Sequence, residues 1–213
     1  MKNDEYVPAL SYDWLTPFYD TVVRLTTREE VFKRALVDQA RLARTDRVLD
    51  LACGTATLVI LLKQDQPRAD VLGIDGDEKI LAIAKTKPRS AGVEIKFDEG
   101  MSFDLPYVNE SFDRAISSLF FHHLSRENKV RTLREVSRAL KRNGEFHVAD
   151  WGLPANVLMR ISSRFIQLLD GFETTADSFG GALPGLMIGA GFAGVEETNS
   201  FNTCLEQFAC TEH

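Results

Sequence analysis

The sequence predicts an α/β domain in which helices cover both faces of a mostly parallel sheet. Three observations predict it. From residue 29 to residue 150, short apolar runs alternate with segments of helical period, which is how consecutive β-α units read. The stretch VLDLACGTATLVILL at 48–62 passes from an apolar strand through a small-residue turn directly into a second apolar run, as a buried strand feeding a helix does. Finally, Asp50, Asp75 and His122 stand at or just beyond the ends of three strands, along the edge where open parallel sheets bind ligands.

The elements follow in order. The opening SYDWLTPFYDTVVRL carries Tyr12, Trp14, Phe18 and Tyr19, an aromatic segment that either packs on the domain or closes over a ligand as a lid within residues 1–28. Val31, Phe32, Ala35, Leu36, Ala40 and Ala43 recur at helical spacing, predicting an amphipathic helix over 29–43. After the first strand a helix starts at Thr57, and VLGI at 71–74 forms the second strand, ending in Asp75-Gly76-Asp77. The next helix presents Ile80, Leu81 and Ala84 and stops at Pro88 and Gly92. Val93, Ile95 and Phe97 alternate as a third strand, and AISSLFF at 115–121 makes the fourth. Ser125 caps a helix whose face is Val130, Leu133, Val136 and Leu140, Asn143-Gly144 marks a turn, and residues 145–150 form the fifth strand. Residues 153–190 break the rhythm and predict a cap, with Pro184 near a helix start. Residues 195–201 and 205–211 then pair as a hairpin, so at least one strand near that edge is antiparallel.

With 213 residues, 44% of them hydrophobic, the chain can bury a full core as a single domain. The first residues lack the basic-then-apolar pattern of a secretory leader, and charges interrupt every apolar stretch before it could span a bilayer. Three cysteines without CxxC spacing argue for a reducing compartment, and the expected location is cytoplasmic. A formal net charge of −6 disfavours nucleic acid and anionic membrane as partners. The oligomeric state is not legible.

At the turn, Gly54 permits a positive φ or a close ligand approach, while Ala52 and Ala56 keep the corner nearly bare. Cys53 lies within it and reads as a small buried thiol. Asp75 suits a ribose, because a carboxylate accepts hydrogen bonds from both vicinal hydroxyls. The G-x-G-x-x-G spacing of dinucleotide sites fails from either Gly54 or Ala52, and no GK[ST] follows the turn. The residues therefore favour an adenosine-type ligand without pyrophosphate over a dinucleotide.

VLDLACGTA, Asp75 after the second strand, LPYVNESFDRAISSLFFHHL and the terminal strand pair resemble the class I S-adenosylmethionine-dependent methyltransferases, nearest their ubiquinone/menaquinone-biosynthesis-like branch. The resemblance covers roughly residues 10–211. It implies a three-layer Rossmann-like fold whose seven-stranded, mostly parallel sheet has the order 3-2-1-4-5-7-6, with the seventh strand antiparallel. The implied cofactor is S-adenosyl-L-methionine, its methionine portion held by Asp50 and the turn Ala52-Cys53-Gly54. Asp75 would take the ribose, with Gly76 and Asp77 beside it, Met101 and Ser102 would border adenine, and Leu119 would lie near the sulfonium. Two departures stand out. Alanine replaces glycine at Ala52 and Ala56, and Met101 stands where many relatives carry an aspartate against the adenine amino group.

The expected reaction is in-line displacement of a methyl group by an N, O, S or C nucleophile of a small acceptor. It requires no protein nucleophile and no metal. His122 and His123 are the candidate bases, against a purely structural role in the loop, and Tyr19 could orient the acceptor. His147 reads as structural. Asp150 and Trp151 could enter the pocket from the fifth strand. Phe165, Phe172, Phe179, Leu183 and Met187 in the cap would suit an apolar or aromatic acceptor, or serve to bury the cap itself, and Arg160 and Arg164 read as a solvated face. The competing readings are a nicotinamide-dependent oxidoreductase and a catalytically idle cofactor-binding domain.

Overall fold

A computed structural model of the chain describes residues 29–152, 181–200 and 205–212. The expected N-terminal lid, including Tyr12 and Tyr19, and the cap residues 153–180 lie outside them. The described elements are α1 (Glu29–Ala40), β1 (Arg47–Leu51), α2 (Thr57–Asp65), β2 (Asp70–Asp75), α3 (Glu78–Ala84), α4 (Lys87–Ala91), β3 (Lys96–Glu99) and β4 (Phe112–Ser118). They continue through a 3-10 turn at Phe121–His123, α5 (Arg126–Ala139), β5 (Leu140–Trp151), α6 (Leu183–Gly189), β6 (Ala193–Ser200) and β7 (Leu205–Thr211).

The strands form one sheet in the order β3-β2-β1-β4-β5-β7-β6. β1 runs parallel to β2 and β4, β2 to β3, and β4 to β5, while β7 is antiparallel to both β5 and β6. This is the expected order, with β7 reversed as expected.

Period-2 alternation along β1 assigns its residues to two cores. Val48 packs with Phe32 and Leu36 of α1 and Leu58, Val59 and Leu62 of α2. Leu49 and Leu51 face the other side, where Leu133 and Val136 of α5 and Leu183 and Met187 of α6 cover Phe146 and Val148. The carboxyl ends of β1, β2 and β4, parallel neighbours in the sheet, lie along one edge as a shared rim. Leu183 and Met187, expected among the residues that receive an acceptor, are core residues of the sheet's second face, 6% and 0% exposed.

Several boundaries differ from expectation for local reasons. Pro88 opens α4 rather than ending α3, because a helix's first turn has no use for the missing N–H. Gly92 then caps α4 at φ 69°. Asn143-Gly144 does not separate α5 from β5. The strand starts at Leu140, opposite Phe112, and takes up Asn143 at φ 62° as an irregularity in its pairing with β4. β4 ends at Ser118, and Phe121 already belongs to the 3-10 turn that carries both histidines.

Candidate active site

The turn after β1 is held at several points. Cys53 N–H donates to the Ile74 carbonyl at 2.9 Å and Ala56 N–H to the Cys53 carbonyl at 3.0 Å. Ala52, Gly54 and Ala56 take φ values of 55°, 54° and 70°. Glycine adopts this region freely, whereas an L side chain is strained by about 1–2 kcal/mol. Ala52 is half-buried on the rim, while the Ala56 methyl is fully buried in the α1–α2 core. The turn packs so closely on β2 that a methyl group built on Gly73 would stand 3.0 Å from Cys53 Sγ. Burial, with Asp50 and Asp75 nearby, pushes the Cys53 thiol far up, so it stays protonated and unreactive.

Asp75 organises the rim of β2. Its carboxylate accepts from Gly54 N–H at 2.9 Å and from Asp77 N–H at 3.0 Å. Burial raises its proton affinity, and these main-chain bonds oppose that rise. Each oxygen retains a further acceptor position. Asp77 is the side-chain cap of α3, accepting from Lys79 N–H at 2.8 Å and Ile80 N–H at 3.3 Å.

Asp50 is 1% exposed and lies on the α1–α2 face. Val59 N–H, an otherwise unpaired donor in the first turn of α2, bonds its carboxyl. Its Oδ2 is buried and has no hydrogen-bond partner among the described residues. Burial pushes the group up to about 7, with Lys33 of α1 opposing the rise and the Asp75 charge adding to it. Lys33 itself pairs with Glu29. Sequence inspection missed Lys33, and helical spacing offers a signal for it, since Lys33 stands three and four residues before the buried Leu36 and Val37.

Met101 and Ser102 follow β3, placed by the bond from Gly100 N–H to the Asp75 carbonyl at 3.1 Å. A methyl group built on Gly76 would stand 2.9 Å from Met101 Sδ, so the thioether lies against that glycine. The Ser102 hydroxyl turns away to a buried bond with Thr132 of α5 at 2.9 Å.

Past β4, Leu119 adopts φ 53° and its N–H donates to the Ala149 carbonyl at 2.8 Å. His122 Nδ1 lies 2.7 Å from Asp150 Oδ1, and the two residues are 2% and 1% exposed. Asp150 also accepts from the main-chain N–H groups of Phe120, Phe121 and Trp151. Burial pushes its carboxyl up, but the facing His122 and these donors outweigh burial and hold it below the ordinary carboxylate value. A carboxylate surrounded by donors requires Nδ1 to carry a proton, so Nε2 is the basic nitrogen of neutral His122. The His123 ring lies against that of His122, tilted by 44° with ring centres 4.0 Å apart. Burial and the neighbouring His122 lower it to about 3, against a weaker pull from Asp150, so it stays neutral. The sequence placed His122 and Asp150 at strand ends but did not pair them. The adjacency of β4 and β5 in the sheet makes the pair.

His147 is bound from both sides, by Gln39 Nε2 at 3.1 Å and Glu145 Oε2 at 3.0 Å, linking α1 to the far half of the sheet. Among the described residues no group of histidines, cysteines and carboxylates could hold a metal ion. No described helix is long and apolar enough to cross a membrane.

The donor set along this rim fits S-adenosylmethionine. Asp50 contributes a buried acceptor without a partner among the described residues, and Asp75 two partly free ones. Among the described residues, no atom beyond its chain neighbours lies within 4 Å of where a side chain would begin on Gly54. Two carboxylates close enough to repel each other favour a cationic ligand rich in hydroxyl and ammonium donors over a pyrophosphate.

The comparisons with known proteins agree with this geometry. The family described as Methyltransferase domain matches residues 48–144. A demethylmenaquinone methyltransferase of Thermus thermophilus is 32% identical over 142 residues, covering 66% of this chain and 64% of that one. A ubiquinone/menaquinone biosynthesis C-methyltransferase of Syntrophotalea carbinolica is 29% identical over 163 residues, covering 74% of this chain and 68% of the other. Against the first of these relatives, the chain spans a little under two thirds of the relative's length. A Thermotoga maritima crystal structure described as a SAM-dependent methyltransferase, possible histamine N-methyltransferase, shares the fold. Its TM-score is 0.67 at 19% identity, covering 94% of this chain and 97% of that one. Residues 48–144 match the methyltransferase domain, and over about two thirds of its length the chain is similar to class I S-adenosylmethionine-dependent methyltransferases of the ubiquinone/menaquinone-biosynthesis branch, whose cofactor is S-adenosyl-L-methionine.

Proposed function

We propose that this chain transfers a methyl group from S-adenosylmethionine to a small, hydroxylated, quinol-type ring, with His122 as the base. The observation that carries the reading is the buried His122–Asp150 pair, one strand over from the Asp50–Asp75 rim in the same sheet. The relatives' names point to the same acceptor class.

S-adenosylmethionine supplies an electrophilic methyl group. Asp75 would hold the ribose, Asp50 and the turn at Ala52, Cys53 and Gly54 the methionine portion, and Leu119 the wall beside the sulfur. A hydroxylated ring becomes a strong carbon nucleophile when its hydroxyl loses a proton. His122 Nε2 would take that proton. The imidazolium so formed faces Asp150, whose carboxylate is already ionised and oriented by three main-chain donors, so its charge is compensated without rearrangement. Tyr19 remains a candidate for orienting the acceptor. An oxidoreductase reading has less support, because the glycine spacing and the two carboxylates both oppose a pyrophosphate.

The test is methyl transfer from isotopically labelled cofactor to a panel of reduced naphthoquinones and benzoquinones, compared with amine and thiol acceptors. Label on a ring carbon is the expected result. Label on nitrogen or sulfur acceptors alone would reject the quinol assignment. Cofactor binding without transfer to any acceptor would favour an idle domain.

A further inference from the structure

On the cofactor reading above, which puts the amino-acid portion at the β1 turn and the ribose on Asp75 of β2, the base would extend away from β1 toward β3, the other neighbour of β2, over Gly76 and the loop that follows Gly100. The side chains there are unusual for a site that reads a base. Met101 lays its thioether against Gly76. The Ser102 hydroxyl is committed to Thr132, the Met101 carbonyl accepts Asp104 N–H at 3.1 Å, and Asp98 accepts the Tyr107 hydroxyl at 3.1 Å. Asp104 is exposed and lies near Arg138. The group that lies directly on Gly76 is thus a soft, polarisable thioether, at best a weak hydrogen-bond acceptor.

We propose that Met101 makes this chain indifferent to the 6-amino group of the cofactor's purine, so that the site holds the base by contact with the thioether rather than by reading its amino edge. The proposal rests on the cofactor reading above and adds a specificity to it. A site built to hydrogen-bond a ligand N–H rejects an analogue lacking it, because its own polar group is left unpaired. A thioether has nothing to leave unpaired.

The test compares, by isothermal titration, S-adenosylhomocysteine with its analogue carrying unsubstituted purine, in which hydrogen replaces the 6-amino group and ring nitrogen N1 stays an acceptor. The wild-type protein is expected to bind the two within about threefold of each other, and Met101→Asp to prefer the 6-amino form by about tenfold or more. A wild-type preference beyond about tenfold would mean that a main-chain carbonyl reads the amino group, and would overturn the assignment to Met101. Equal ratios in wild type and in a folded Met101→Asp protein would overturn it too, by placing the base elsewhere. If S-adenosylhomocysteine itself fails to bind wild type, the cofactor reading falls, and the base specificity with it.

Discussion

Replacing Asp50 with asparagine should make the cofactor-free protein more stable at neutral and alkaline pH. The carboxyl is 1% exposed, its Oδ2 has no partner among the described residues, and burial raises it from 3.8 to about 7. In the unfolded chain it ionises near its ordinary value. Between those two values the folded protein binds the additional proton, so the Asp50 contribution is fully present below about pH 4 and is lost as pH rises through about 7. At about 1.4 kcal/mol per unit, the displacement amounts to about 4 kcal/mol as an upper limit. Asparagine cannot ionise, and its carbonyl can still accept Val59 N–H. Urea denaturation of both proteins near pH 4 and near pH 8 isolates the effect, because Asp113, Glu135 and Asp150, each lowered in the folded state, titrate alike in both. Asp50→Asn should match wild type near pH 4 and exceed it by about 2–4 kcal/mol near pH 8. A difference that does not change with pH, or a variant less stable at the higher pH, would refute the placement of a protonated carboxyl in this core.

Two further predictions concern the turn and the base. Ala52→Gly relieves a left-handed alanine whose methyl is half-exposed and should stabilise the protein by about 0.5 kcal/mol. Ala56→Gly relieves the same strain but empties a fully buried methyl site, so the terms should nearly cancel. Thermal melts of the two variants check this ordering, and a stabilised Ala56→Gly beside a destabilised Ala52→Gly would contradict it. Asp150→Asn removes the charge facing His122 and should lower kcat about 100-fold or more, with S-adenosylhomocysteine affinity kept within about threefold. Steady-state kinetics across pH would expose a merely structural Asp150 through an unchanged kcat.

The elements that position the site were legible because their signals are local. The apolar run, small-residue turn and second apolar run at 48–62 left few alternatives to a strand feeding a helix, and Asp75 followed one β-α unit later. The short spacing between the last two strands made a hairpin, and so one antiparallel strand at that edge, legible, while the resemblance named β7 as the reversed one. What depended on backbone angle or on neighbours in space was not. Ala52 and Ala56 read as small residues but gave no sign that both sit at positive φ. Asn143-Gly144 looked like a break because its composition is that of a turn, yet Phe112 pairs with Leu140 and pulls the strand back past it. His122 and Asp150 lie 28 residues apart and meet through a 3-10 turn that no periodicity announces. Leu183 and Met187 had the composition of a ligand wall, which is also the composition of a core.

The central claim is that the Asp50–Asp75 rim holds the adenosine portion of S-adenosylmethionine. Titration of wild type and Asp75→Ala with S-adenosylhomocysteine tests it most directly. Tight one-to-one binding by wild type, weakened about 10- to 100-fold in a folded Asp75→Ala protein, is the predicted result. Equal affinity in the two proteins would contradict it.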